Sequence, residues 1–139
     1  MHIYLAARYS RHPEMQEHAQ EIEKLGHTVT SRWIRGSHSL DDSLDRGQAD
    51  EVRADFAIED MEDLSKCDVV LSFTEDLSVK ADRPSKGGRH VEFGMGVALN
   101  KRMVIIGERE HVFHWLPNVE HYGSLADFLS VITEEAGHE

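Results

Sequence analysis

Two short runs of consecutive apolar residues constrain the fold of this chain more than any other feature. DVVLSFT (68–74) and KRMVIIG (101–107) have few polar interruptions, which is typical of strands buried on both faces of a sheet. A segment with helical periodicity precedes each run, and another apolar segment, HIYLAA (2–7), lies near the start of the sequence. Strands that alternate with helices favour a parallel sheet with right-handed crossovers, because neighbouring parallel strands need a helix-length connection.

The other segments complete an alternating pattern of strands and helices. HTVTSRW (27–33) alternates like a strand, and VEHYG (119–123) predicts a short edge strand. Five strands within one domain, 1–139, suggest an α/β, flavodoxin-like, doubly wound parallel sheet with the order 2-1-3-4-5. Ser10 and Ser124 are expected to cap the first and last helices. The predicted helices span residues 10–26, 49–67, 89–100 and 124–137, and the predicted loops span 34–48, 75–88 and 108–118.

Composition and charge exclude several classes of protein. The formal net charge of -11 argues against a nucleic acid polymer as partner, since phosphate backbones need clustered Lys and Arg. No apolar run approaches the roughly 20 residues of a membrane helix, and the first residues do not predict a signal peptide, so we expect no membrane partner. The single cysteine, Cys67, rules out an internal disulfide and fits a reducing cytoplasm.

The loop AARYSR (6–11) is a candidate binding segment, because ligands of such sheets lie beyond the carboxyl ends of the strands. Backbone N–H groups at a helix start attract anions, and Arg8, Ser10 and Arg11 add further donors. The segment therefore predicts either a phosphate or ribose site or an ordinary capped helix with exposed arginines. It has no GxGxxG or P-loop lysine motif, so a dinucleotide or triphosphate site lacks its usual signature.

Glu92 is the carboxylate best placed for chemistry. It lies about one turn into the helix that follows Gly87, where the helix-end potential and Arg89 are expected to keep it ionised. An ionised carboxylate in a fixed orientation can attack the anomeric carbon of a sugar. The alternative is a glutamate that only stabilises the start of its helix. Asp60, about two turns before its own helix ends, either leans over the sheet edge or belongs to a solvated helix face.

Ten histidines raise the question of a metal site. His111 and His114 are three residues apart, with Glu108 and Glu110 nearby. No second cluster at ligand spacing accompanies them in the sequence, so we expect no metal and no other cofactor.

Taken together, these segments resemble the nucleoside 2-deoxyribosyltransferase family, which includes the 2′-deoxynucleoside 5′-phosphate N-hydrolases. The resemblance covers nearly the whole chain and is carried by IYLA (3–6), DMEDLSKCDVV (60–70) and GGRHVEFGMGVALNKRMVII (87–106). The third segment has a glycine loop, an E-x-G motif and a lysine before a strand. The chain departs from the family pattern at His90, where glycine is frequent, and at Lys86, beside Ser85, where Asp or Ser is frequent.

The resemblance implies a role for each matching position. Glu92 would be the nucleophile that attacks C1′ of the sugar, and Asp60 the acid that orients or protonates the base. Tyr4 would line the sugar site, and Gly88 would let the ligand approach the loop. The other expected substrate contacts are Arg8, Ser10 and Arg11 at a 5′-phosphate, and Arg89 and His90, which with Lys86 add positive charge at the mouth of the pocket.

The implied reaction cleaves the N-glycosidic bond of a (deoxy)nucleoside or nucleoside 5′-monophosphate through a covalent glycosyl-Glu92 intermediate. Water would resolve the intermediate in an N-hydrolase and a second base in a deoxyribosyltransferase; the basic residues favour a monophosphate hydrolase. The alternatives are a non-catalytic nucleotide-binding or sensing module and a redox or signalling domain that uses Asp76. The family also implies a homo-oligomer, a dimer or larger, and the segment 107–118 is the expected contact surface.

Overall fold

A computed structural model describes residues 1–40, 42–76 and 86–137 of the chain. Ser85 and most of the predicted loop 75–88 lie outside these described residues. Within them the structure contains five strands and four α-helices, joined by three short 3-10 helices. The strands are β1 (His2–Ala6), β2 (Thr28–Val29), β3 (Val69–Phe73), β4 (Arg102–Ile106) and β5 (Val119–Tyr122). The helices are α1 (His12–Lys24), α2 (Arg46–Ser65), α3 (Gly88–Ala98) and α4 (Leu125–Gly137), and the 3-10 helices are Tyr9–Arg11, Arg32–Arg35 and Val112–Trp115.

All five strands pair in parallel, in the order β2-β1-β3-β4-β5. This confirms the predicted flavodoxin-like α/β sheet. The chain runs outward from β1 to β2 and then crosses back to β3, so the direction of winding reverses between β1 and β3. The loops that leave these two strands diverge there, which opens a crevice at the carboxyl edge of the sheet.

The centre of the sheet is buried as the apolar runs predict. Every residue of β3 is buried, as are the last four of β4 and of β1. Because both faces of these strands are covered, their sequences show continuous apolar runs rather than alternation. No helix among the described residues is both long enough and apolar enough to cross a bilayer.

The second strand is much shorter than predicted. β2 contains only Thr28 and Val29, and the chain then turns into the 3-10 helix Arg32–Arg35. The indole N–H of Trp33 donates a 2.8 Å hydrogen bond to the carbonyl oxygen of Leu5. This bond draws the buried Trp33 over β1, so the residue does not continue the edge strand.

The helix starts give one confirmed cap and one wrong one. The hydroxyl of Ser124 accepts a 3.2 Å hydrogen bond from the N–H of Asp127 and caps α4 as predicted. Ser10 does not cap α1: it is exposed in the 3-10 turn Tyr9–Arg11, and Arg11 occupies the cap position without a side-chain bond. α2 begins earlier than predicted, because Asp45 forms a capping box with Gln48.

Candidate active site

Three of the predicted site residues meet where α3 packs against β1 and α2. Tyr4 is fully buried in the middle of β1, Glu92 lies in the first half of α3, and Asp60 lies on α2. The phenol of Tyr4 interacts electrostatically with the carboxyl groups of both Glu92 and Asp60, and those two carboxyl groups interact with each other. Residues separated by as many as 88 positions thus form one polar cluster.

The polar atoms of this cluster are not satisfied by the protein. Tyr4 Oη, Glu92 Oε2 and Asp60 Oδ1 are buried, and none has a hydrogen-bond partner of good geometry among the described residues. An unpaired buried polar group costs about 1–3 kcal/mol, so native proteins contain few of them. Several unpaired groups that converge at one place indicate donors and acceptors arranged for a ligand.

The pKa of Glu92 corrects the expectation that this carboxyl is ionised. The residue is partly exposed, but its Oε2 is shielded from solvent. Burial, with a contribution from the carboxylate of Asp60, raises the pKa of Glu92 to about 8, although the nearby Tyr4 hydroxyl opposes the rise. The expected help from Arg89 is missing, because that guanidinium forms a bidentate ion pair with Glu110.

Asp60 is a second carboxyl group with a raised pKa. Burial and the carboxylates of Asp63 and Glu59 raise the pKa of Asp60 to about 7, while Arg32 lowers it. Asp63 is itself buried and accepts two 2.9 Å hydrogen bonds from the backbone N–H and Nε of Arg32. A carboxyl group that titrates near neutral pH can both donate and accept a proton, as a general acid and base must.

Tyr4 keeps its proton in this environment. Burial raises the pKa of the phenol well above its usual value, and the negative charges of Glu92 and Asp60 raise it further. The hydroxyl group is therefore a permanent hydrogen-bond donor beside the two carboxyl groups.

The predicted phosphate-binding residues lie at the crevice between β1 and β3, but both arginines among them already pair with acidic side chains. Arg11 donates hydrogen bonds of 3.0 and 2.7 Å to Glu14 and one of 3.1 Å to the carbonyl oxygen of Thr74. Arg8 Nε lies 3.8 Å from Oε1 of Glu75. Ser10 is exposed beside them. A phosphate group at this position would have to compete with Glu14 and Glu75 for the two cations.

The residues around the start of α3 divide between two environments. Gly87, with φ of 84°, has a left-handed conformation that favours glycine, and it leads directly into Gly88. A side chain at Gly88 would meet no described atom within 4 Å, so the backbone there is open to a ligand. Arg89 and His90 instead engage the segment after β4: Arg89 pairs with Glu110, and Nδ1 of His90 lies 3.1 Å from Nε2 of His111. The positive mouth expected from Arg89 and His90 is thereby weakened, since burial also lowers the pKa of His90.

The histidine pair noted in the sequence, His111 and His114, gains a third member in the structure. This is His90, and one ring nitrogen from each of the three residues lies within 4.8 Å of the others. His114 is fully buried, and its Nδ1 accepts a 2.9 Å hydrogen bond from the N–H of Glu110. The neutral ring therefore carries its proton on Nε2 and has no lone pair free for a metal ion. Two imidazoles remain, fewer than the three protein ligands of a typical zinc site, and we propose no metal here.

Sequence reasoning missed His38. Its ring nitrogen Nδ1 lies 3.6 Å from Oδ1 of Asp60, and its side chain is only 8% exposed. One signal could have found it: the long polar loop after β2 also leaves the carboxyl edge of a parallel sheet, so a histidine in it was a candidate on the same grounds as the loop after β1.

Comparison with solved structures supports the fold. A 2-deoxyribosyltransferase from the psychrotolerant bacterium Bacillus psychrosaccharolyticus superposes with a TM-score of 0.66 at 17% identity, covering 92% of this chain and 90% of that one. The CMP N-glycosidase of Clostridium botulinum superposes with a TM-score of 0.54 at 18% identity, covering 96% of this chain and 98% of that one. Neither a scan against protein-family models nor a search of curated proteins gives a match to the sequence. At these identities the similarity is one of fold, and the residues of the site carry the chemical reasoning.

Proposed function

We propose that the protein cleaves the N-glycosidic bond of a nucleoside or nucleoside 5′-monophosphate, with Glu92 as nucleophile and Asp60 as general acid. The observation that carries the proposal is the convergence of Tyr4, Asp60 and Glu92 in one buried cluster whose polar atoms lack protein partners. The two solved structures with this fold are a 2-deoxyribosyltransferase and a CMP N-glycosidase, whose names describe transfer and cleavage of this kind.

The reaction has two steps: a covalent ester forms on Glu92 in the first and is cleaved in the second. The Glu92 carboxylate attacks C1′, the electron pair of the C1′–N bond moves to the base nitrogen, and that nitrogen takes the proton of Asp60. Water or a second base then attacks C1′, Asp60 takes the proton of the incoming nucleophile, and the Glu92 carboxylate leaves. Both residues return to their starting states, so no cofactor is consumed.

The two pKa values determine which form of the site reacts. The reactive form has one proton in the pair, and that proton is on Asp60 while Glu92 is ionised. The raised pKa values, about 8 for Glu92 and about 7 for Asp60, place the form with one proton near neutral pH, and an ionised Asp60 favours that proton on Glu92. Sugar hydroxyl groups and Tyr4 that donate hydrogen bonds to Glu92 would shift the proton toward Asp60.

The direct test is base release from a panel of nucleosides and their 5′-monophosphates, followed by chromatography. We expect free base with the wild type and none with Glu92→Ala. The circular dichroism spectrum of the variant should match that of the wild type, which shows that it is folded. Glu51→Ala, which alters an exposed glutamate on α2, is the matched control and should keep full activity. Normal base release by Glu92→Ala would refute the proposal. If a second base is added to the wild-type reaction and a nucleoside of that base forms, the protein is a transferase.

A nucleotide-binding module without turnover is the alternative that the raised pKa of Glu92 favours. A protonated Glu92 is a poor nucleophile, but it can donate a hydrogen bond to a ligand. Ligands from the same panel that raise the melting temperature without any release of base would identify this function.

A further inference from the structure

His38 lies in a loop, and its imidazole ring packs against aromatic side chains. Its ring stacks on Phe56 of α2, with centroids 4.4 Å apart and an interplanar angle of 14°. The ring of Tyr9 is also nearly parallel to the imidazole, with centroids 6.5 Å apart and an interplanar angle of 6°. The hydroxyl of Tyr9 also lies 3.1 Å from that of Ser39, which ties the loop to the segment after β1. Stacking on Phe56 restrains the plane of the imidazole, and in the ring orientation of the structure Nδ1 is directed toward Asp60.

The two ring nitrogens face two different carboxyl groups. Nδ1 lies 3.6 Å from Oδ1 of Asp60, and Nε2 lies 3.7 Å from Oε1 of Glu59. These distances are longer than a hydrogen bond, but catalytic hydrogen bonds often tighten only when the substrate binds. The proton of a neutral ring can serve only one of these carboxyl groups.

The surroundings favour a neutral ring that serves Asp60. The charged groups that face His38 are Glu59, Asp60 and Asp63 of α2 and Arg32 of the 3-10 helix before the loop. Burial lowers the pKa of His38, and although the carboxylates of Glu59 and Asp63 oppose this change, the net direction is downward. Glu59 already has a cationic partner, because its Oε1 lies 3.5 Å from Nε of Arg32. Oδ1 of Asp60 is buried and has no hydrogen-bond partner among the described residues.

We propose that His38 is a positioning residue for Asp60: its ring carries the proton on Nδ1, donates to Oδ1 of Asp60, and leaves Oδ2 to carry the proton that reaches the leaving base. This inference rests on the proposed function. In the first step the Oδ2 proton moves to the base nitrogen, and the bond from Nδ1 stabilises the carboxylate that forms. In the second step Oδ2 takes the proton of the incoming nucleophile. His38 keeps its own proton throughout, so the balance of the reaction is unchanged.

Three substitutions separate positioning from simple packing. His38→Asn places an amide N–H near the position of Nδ1, His38→Gln places it near Nε2, and His38→Phe keeps the stacked ring without a donor. We expect His38→Asn to keep kcat within a few-fold, and His38→Phe and His38→Gln to lose about tenfold or more in kcat with a smaller change in KM. If the ring only packs, the order reverses: His38→Phe keeps its activity and His38→Asn loses it, and that order would overturn the proposal.

The protonation site of His38 gives a readout that does not depend on activity. Nitrogen-15 NMR of histidine-labelled protein distinguishes a protonated Nδ1 from a protonated Nε2, and Asp60→Asn identifies the coupled signal. We expect a neutral ring with the proton on Nδ1 at pH 7. A proton on Nε2 overturns the inference even if the protein releases base, whereas a proton on Nδ1 in a protein that releases no base supports the contact and rejects only the proposed function.

Discussion

Replacement of Glu92 by glutamine tests the burial of the proposed nucleophile through the stability of the fold. The pKa of Glu92 is about 8 in the folded protein, against an ordinary value of 4.5 that applies to the unfolded chain. Between pH 4.5 and pH 8 the folded protein therefore holds a proton that the unfolded chain has released, and stability falls as the pH rises through this window. Glutamine resembles the protonated carboxyl group in shape and does not titrate. The stability of Glu92→Gln should therefore not fall with pH for this reason.

The magnitude follows from the two pKa values. At about 1.4 kcal/mol for each tenfold difference in proton affinity, the buried carboxyl group lowers the free energy of unfolding by about 3 kcal/mol at pH 7. The same calculation gives about 5 kcal/mol at pH 9 and less than about 1 kcal/mol at pH 5. The variant should therefore be more stable than the wild type, and the gap should widen with pH.

Urea unfolding at pH 5, 7 and 9 measures this gap directly, since the midpoint multiplied by the slope gives the free energy of unfolding. Glu51→Gln is the matched control, because the residue is exposed on α2, and its curves should follow those of the wild type at every pH. A gap that stays constant with pH, or a Glu92→Gln protein less stable than the wild type at pH 9, would refute the assignment of a protonated, buried Glu92. A gain in stability together with a loss of base release is the pattern expected when a strained site serves function.

Three further predictions concern the pH dependence, Tyr4 and assembly. The pH profile of kcat/KM should be bell-shaped with its maximum between about pH 7 and 8, because the reactive pair holds one proton, and Asp60→Asn should lower the rate and leave only the rising limb. Tyr4→Phe should move the falling limb to higher pH, because the Tyr4 hydroxyl lowers the pKa of Glu92, the group that loses the second proton at about pH 8; a falling limb that stays in place would contradict this. If the segment 107–118 forms the contact between copies, Phe113→Asp should lower the molar mass measured by light scattering, since Phe113 and Trp115 are 61% and 59% exposed; a mass equal to that of the wild type would reject this surface.

The fold was predictable where the sequence pattern depends on burial alone. β3 and β4 are buried on both faces, so their apolar runs are continuous and easily found. The 3-10 helix around Trp33 was not predictable, because the hydrogen bond from its indole to Leu5 depends on the finished sheet. For the same reason His38 was missed: its place beside Asp60 is set by stacking on Phe56, a residue 18 positions away along the chain.

The charge state of Glu92 was predicted wrongly because the sequence shows the start of the helix but not the burial that opposes its effect. The potential at a helix start stabilises a carboxylate by about 0.3–1 kcal/mol, which lowers its pKa by less than one. Burial of a carboxyl group can raise its pKa by as much as about 3–5, so it prevails once the group is shielded from water. The roles of Glu92 and Asp60 in catalysis stay predictions, and the two carboxyl groups lie close enough for the charge of Asp60 to raise the pKa of Glu92.

The ion pair between Arg89 and Glu110 explains how Glu92 avoids a cation only three residues away along its own helix. Both carboxylate oxygens of Glu110 bind the guanidinium of Arg89, a residue that is 6% exposed, so this positive charge is neutralised within the protein. If Arg89 paired with Glu92 instead, the Glu92 carboxylate would be ionised at neutral pH. The ion pair would also stabilise the free carboxylate, which would make it a weaker nucleophile toward C1′ in the proposed reaction. Glu92 instead lies beside a phenol and another carboxyl group, where its ionised form is high in free energy. Formation of a bond to carbon would remove this buried charge. The pairing of Glu110, on the loop after β4, with Arg89 thus bears on the proposed role of Glu92, because it holds this cation of α3 on another carboxylate.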